Sequence, residues 1–117
     1  MKKKKSVSNY LDFVPAVSGK FRSETDSAGL VTIFMENKGV FHRLAQKFLK
    51  KPAVSQIHLD TMGSFIWSLL DGEHTIYEIA TEVSGRFGKE AEPLYDRLLQ
   101  YIKNLEGYGF IEVTRPE

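Results

Sequence analysis

The sequence predicts an α+β fold in which an N-terminal three-stranded antiparallel sheet precedes a bundle of three helices. Two observations carry this expectation. Residues 30–36 alternate Val31, Ile33 and Met35 with Thr32, Phe34 and Glu36, the period of a half-buried strand. From residue 60 onward, apolar residues recur every three or four positions in three stretches, each with its own start and stop signals. The chain has 117 residues, the length of one domain able to bury a core without disulfides or metals. Residues 1–9 are expected to form a disordered basic tail and 10–117 a single domain.

Taken in order, the stretch NYLDFVPAV over 9–17 is an apolar lead-in. Pro15 argues against its being a central strand, because proline cannot donate to a ladder. Residues 20–25 and 30–36 read as the first two strands. Between them DSAG supplies turn chemistry, with Gly29 free to adopt positive φ. Residues 40–50, VFHRLAQKFLK, place Val40, Phe41, Leu44, Ala45, Phe48 and Leu49 on one helical face. His42, Arg43, Lys47 and Lys50 lie mostly on the other. This basic amphipathic helix, stopped by Pro52, is an extra element between strands two and three. Its apolar face either covers the sheet or core or offers a surface to a partner or membrane. Residues 54–59, VSQIHL, are the third strand.

The first helix of the bundle spans 60–71. Asp60 is a good N-cap. Met62, Phe65, Ile66, Leu69 and Leu70 form its apolar face, and Gly72 can take the left-handed conformation that ends a helix. Trp67, flanked by Ile66 and Leu69, is expected in the core. The second helix, 75–87, opens on a capping box of Thr75 and Glu78. The third, about 92–106, starts near Pro93 and carries Leu94, Leu98, Tyr101, Ile102 and Leu105 on its main face, widened by Tyr95 and Leu99. Gly107 and Gly109 end it. Residues 110–113 can form a short final strand. The order is that of a winged helix-turn-helix.

Composition excludes several function classes. The chain has no cysteine, so disulfides, Cys-ligated zinc and protein-ligated iron–sulfur clusters are out. No apolar run approaches the ~20 residues of a membrane span. The basic start has no apolar segment behind it, so it is not a signal peptide, and a cytoplasmic location is expected. Net charge is +1. Removing the four positives of residues 2–5 leaves +1 minus 4, or −3. That Lys run reads as a solvated tail; weak contact with nucleic acid or anionic lipid is the sharper alternative.

No catalytic constellation stands out. His42, His58 and His74 make no metal-ligand spacing, and no phosphate-binding loop is present. Gly107 and Gly109 terminate a helix rather than cradle a dinucleotide. The chain is therefore expected not to be an enzyme and to carry no metal or cofactor. A winged-helix DNA-binding or transcription-associated domain is the alternative reading. Against it, residues 90–106 carry Glu90, Glu92, Asp96 and Glu106 against Arg97 and Lys103. A net negative helix is repelled by the phosphates that flank the major groove.

The stretches LDTMGSFIWSLLDGEHTIYEIATEVSGRFG and RLLQYIKNLEGYGFIEV closely resemble the PqqD-like family. These are the small peptide chaperones of pyrroloquinoline quinone biosynthesis and their relatives, whose domain is also called the precursor peptide recognition element of ribosomally made, post-translationally modified peptides. Leu59, Asp60, Gly63, Ile66, Trp67, Leu69, Asp71, Gly72, Thr75, Ile76, Glu78 and Ile79 match the first part of the family pattern. Leu105, Gly109, Phe110 and Ile111 match the second. The likeness implies a non-enzymatic, peptide-binding role. A leader peptide would add as a strand to the edge of the third strand and pack on the last helix. Carried onto this sequence, the strand supplies Val54, Ser55, Gln56, Ile57 and His58, and the helix supplies Leu94, Arg97, Leu98, Tyr101 and Ile102. A plainer reading is that those helix residues merely close the core. The implied partners are a precursor leader peptide and a radical SAM maturation enzyme, with a homodimer as a further option. Neither nucleic acid nor a membrane span is implied.

Overall fold

The computed structural model of the protein describes residues 10–36 and 54–116. The basic tail at 1–9 and the helix expected at 40–50 lie outside the described residues. The fold is α+β, with two antiparallel sheets and three α-helices. In chain order the elements are β1 (Val14–Val17), β2 (Arg22–Thr25), β3 (Val31–Glu36), β4 (Val54–His58), α1 (Thr61–Ser68), α2 (Ile76–Phe87), a 3₁₀ turn (Gly88–Ala91), α3 (Leu94–Tyr108) and β5 (Ile111–Thr114).

Strands β2, β3 and β4 form the expected three-stranded sheet in that order. The β2–β3 turn is fixed by Asp26, whose Oδ1 accepts the N–H groups of Ala28 (2.9 Å) and Leu30 (3.0 Å). Gly29 supplies the positive φ of 85° that this turn requires. Alternation then puts Val31 and Ile33 into the core and Thr32 and Phe34 on the outer face.

Where β3 meets β4, a helix residue completes the ladder. Leu59 N–H donates to Val31 C=O at 2.9 Å. The reciprocal bond is replaced by the buried Ser64 hydroxyl, which accepts from Val31 N–H (2.9 Å) and donates to Leu59 C=O (3.3 Å). Ser64 is the one buried polar side chain of the described residues, and its two bonds offset the cost of burying it.

Helix α1 begins as its sequence predicts, with Asp60 Oδ1 accepting Gly63 N–H at 2.7 Å. It stops at Ser68 rather than at 71. The reason is β1. Leu70 C=O accepts from Val17 N–H at 3.0 Å, and Gly72 N–H donates to Pro15 C=O at 3.0 Å. A continued helix could not offer those groups to a strand. Helix α2 has both halves of its capping box, Thr75 Oγ1 to Glu78 N–H (3.1 Å) and Glu78 Oε1 to Thr75 N–H (2.9 Å). Two further donors of its first turn, Ile76 and Tyr77 N–H, are taken by Phe13 and Leu11 C=O. Helix α3 runs through Gly107 and ends at Gly109, whose left-handed φ of 84° supplies the stop.

The lead-in is not merely apolar cover. Its second half is β1, paired antiparallel with β5 in a separate two-stranded sheet, Val14 opposite Thr114 and Val17 opposite Ile111. Ser18 N–H donates to Phe110 C=O. Alternation of bonded pairs from that point turns the Pro15 nitrogen away from β5, so the missing donor costs the ladder nothing. Around this frame Ile33, Ile76, Ile79, Ile102, Ile111 and Val83 are completely buried. Each such side chain contributes roughly 1.5–3 kcal/mol of transfer free energy. Trp67 only leans on this core and stays half-buried.

Candidate functional site

The three-stranded sheet leaves one edge of β4 unpaired among the described residues. Which groups point out of it follows from one bond. Val31 and Leu59 are a bonded pair, in the register that sets Thr32 opposite His58, Ile33 opposite Ile57 and Met35 opposite Ser55. Bonded and non-bonded pairs alternate in an antiparallel ladder. Ser55 and Ile57 are therefore engaged with β3, while Val54, Gln56 and His58 aim N–H and C=O outward. The other side of β3 agrees. Asp26 N–H donates to Leu30 C=O, which turns Thr32 and Phe34 toward β2 and leaves Ile33 and Met35 to β4.

Side chains follow the same alternation. Ile57 shares the face of Ile33 yet remains 36% exposed. Gln56 and His58 lie on the opposite, outer face. There His58 Nδ1 is 3.0 Å from Thr32 Oγ1, and the Arg22 guanidinium sits 3.9 Å from the centre of the Phe34 ring.

Two residues past β4 the chain enters a cleft of about 550 Å³ between α1 and α3. Met62, Ile66, Leu94 and Leu98 make it apolar. Tyr101 crosses it, its hydroxyl donating to Gly63 C=O at 3.1 Å. A methyl group on Gly63 would sit 2.9 Å from that hydroxyl and 3.0 Å from Asp60 Oδ1, so only glycine lets α1 and α3 approach this closely. Burial, helped by the Asp60 carboxylate, pushes the Tyr101 hydroxyl above its ordinary pKa. It remains a donor throughout the range in which the protein is handled. Arg97 stands at the rim, its guanidinium donating to Glu90 C=O at 2.7 Å.

The cleft gathers four of the five helix residues expected from the sequence: Leu94, Arg97, Leu98 and Tyr101. Ile102 is turned into the core and completely buried, and Leu98, at 2% exposure, forms the buried base of the cleft, so the core-closing reading holds for both. None of the five strand residues lines the cleft; Asp60 connects it to the strand. Asp60 and Gly63 are not among the site residues expected from the sequence, because the cap role accounts for the first, and a glycine in a helix signals nothing until its neighbour across the cleft is known. Elsewhere, Asp71 and His74 pair at 2.8 Å in the α1–α2 turn. The histidine bond and the Glu73 N–H hold Asp71 down to about 2, and the carboxylate raises His74. This pair braces a turn. No group of three His, Asp or Glu side chains is placed to hold a metal among the described residues.

The family model for coenzyme PQQ synthesis protein D (PqqD) matches residues 46–111. The chain belongs to the PqqD family. No curated protein and no solved structure matches it significantly. The PqqD match runs from before β4 to the first residue of β5, so the unpaired strand edge and the entire cleft fall within it. Membership implies involvement in the biosynthesis of coenzyme PQQ or of related ribosomally made peptides, as an accessory protein rather than a catalyst. No described helix is long and apolar enough to cross a membrane.

Proposed function

We propose that this PqqD-family protein is a peptide chaperone with a winged-helix-like frame. It takes the leader of a ribosomally made precursor as an added strand on β4 and presents it to a maturation enzyme of the radical SAM type in the cytoplasm. One observation carries the reading: the strand whose N–H and C=O groups point outward at Val54, Gln56 and His58 runs, two residues later, into the apolar cleft between α1 and α3. An extended peptide satisfies those backbone groups, and alternate side chains of the peptide enter the cleft. Backbone bonds supply affinity whatever the sequence, and the cleft selects among sequences.

Proline separates the two edges of β4. Peptides are first selected by panning a random display library on the full chain, and one is then titrated by calorimetry. Gln56→Pro removes an outward donor and is expected to weaken binding by about tenfold, with the urea midpoint nearly unchanged. Ser55→Pro removes a donor to β3 and is expected to lower that midpoint. Wild-type affinity in Gln56→Pro would remove β4 as the docking edge.

A further inference from the structure

The cleft is charged at both ends of its apolar floor, and the two ends differ in sign. At one end Asp60 spends Oδ1 on capping α1 through Gly63 N–H. Its second oxygen has no hydrogen bond to a described residue, and Tyr101 and Asn104 of α3 line the same end. At the other end stands Arg97, one helical turn before Tyr101 on α3. One of its N–H groups is fixed on Glu90 C=O, and it forms no ion pair with a described residue. The guanidinium is thus held in place with most of its donors still open. Asp96 also borders the cleft. It points about 100° further round the helix than Arg97, on the side away from Leu94, Leu98 and Tyr101, so it lies outside the apolar strip that Arg97 flanks.

We propose that the cleft reads charge order in the bound peptide: an acidic side chain at Arg97, an apolar one over Met62, Ile66 and Leu98, and a basic one at Asp60. This rests on the peptide-binding reading above and makes Arg97 and Asp60 its specificity-determining residues. The spacing is set by the helix. Arg97 and Tyr101 are four residues apart, about 6 Å along the axis. In an extended peptide, side chains on one face repeat every ~6.8 Å. That step accounts for one repeat, so the acidic and the apolar groups are expected two positions apart in the peptide, with the basic group beyond the apolar one, toward Asp60. A planar guanidinium beside a low-dielectric wall favours a carboxylate in two-pronged contact, which an exposed lysine would not reproduce.

The test uses the full chain and a random twelve-residue display library. Panning on wild type is expected to enrich peptides with an acidic residue two positions from a large apolar one and a basic residue beyond it. Panning on Arg97→Glu is expected to replace the acidic position by a basic one and leave the other positions unchanged. Panning on Asp60→Asn, which keeps the helix cap, is expected to erase the basic preference only. In calorimetry, the peptide enriched on wild type is expected to bind Arg97→Glu about tenfold more weakly. Urea unfolding of both variants monitors the fold. Enrichment of apolar peptides without charge order, or the same charge order on Arg97→Glu, overturns the inference and leaves peptide binding standing. No enrichment on any form overturns both.

Discussion

Two strands of this molecule are built from similar amounts of backbone and do opposite work. β1 has both edges occupied, by β5 on one side and by residues 70–72 on the other. β4 has one edge occupied by β3 and the other unpaired among the described residues. The closed strand locks the α1–α2 turn, and Leu11 and Phe13 just before it hold the first turn of α2. The open strand leads into the cleft. The difference shows where strand pairing is spent on stability and where it is left for a ligand.

The largest expected effect lies on the closed side. Ile111 sits in β5 opposite Val17 and is almost completely buried. Ile111→Ala is expected to cost roughly 2–5 kcal/mol in urea unfolding, while peptide affinity of the folded fraction stays at the wild-type value. Loss of affinity beyond the folded fraction would show that the two strands are coupled. Next comes the joint between β3 and β4. Ser64→Ala strands the buried Val31 N–H and is expected to cost about 1–3 kcal/mol; an unchanged unfolding midpoint would mean that the hydroxyl is not completing the ladder. Within the cleft, Tyr101→Phe removes the bond to Gly63 C=O but keeps the ring. A loss of roughly 0.5–1.5 kcal/mol in stability is expected, and Gly63→Ala is expected to be worse because its methyl meets both the Tyr101 hydroxyl and Asp60.

The smallest effect is pH-dependent and belongs to the turn that β1 holds. Asp71 is held down to about 2 from 3.8, so its contribution is present above pH 3.8 and is lost as pH falls through about 2. His74 is raised above 6.5, so its contribution is present below pH 6.5 and is lost as pH rises through its folded value. Both act together between those limits. Asp71 is exposed and His74 only partly covered, which keeps the effect small. His74→Gln is expected to flatten thermal stability between pH 6 and pH 8 on the order of one histidine titration; an unchanged slope would detach the pair from the fold.

Much of this architecture was legible in the sequence because its signals are local. The Thr75–Glu78 capping box, the Asp60 cap and the turn at Gly29 each involve residues within four positions of one another. The three-stranded sheet followed from alternation over 30–36, the turn chemistry before it and the stretch VSQIHL over 54–59. What was not legible depends on distant partners. β1 pairs with a strand 94 to 100 positions away, Val17 with Ile111 and Val14 with Thr114, and nothing in NYLDFVPAV announces that partner. The early end of α1 has the same cause, since β1 takes the backbone of residues 70–72. Trp67, expected in the core, is only half-buried because α1 is short and its ring lies at the edge of the packed cluster. For the cleft, helical spacing brought out Leu94, Leu98 and Tyr101 together, and the family resemblance added Arg97. Neither could show that Ile102 turns inward, or that Asp60 and Gly63 face Tyr101 across the cleft.

The most direct test of the open strand is residue-resolved amide hydrogen exchange on β4, with and without a peptide selected on the full chain. In the free protein slow exchange is predicted at Ile57, which is bonded to β3, and fast exchange at Gln56 and His58, which face outward. With peptide bound, Gln56 and His58 are predicted to slow by at least about tenfold while Ile57 changes little. Protection of Gln56 in the free protein, or no change there when peptide binds, would contradict the claim that β4 is the docking edge.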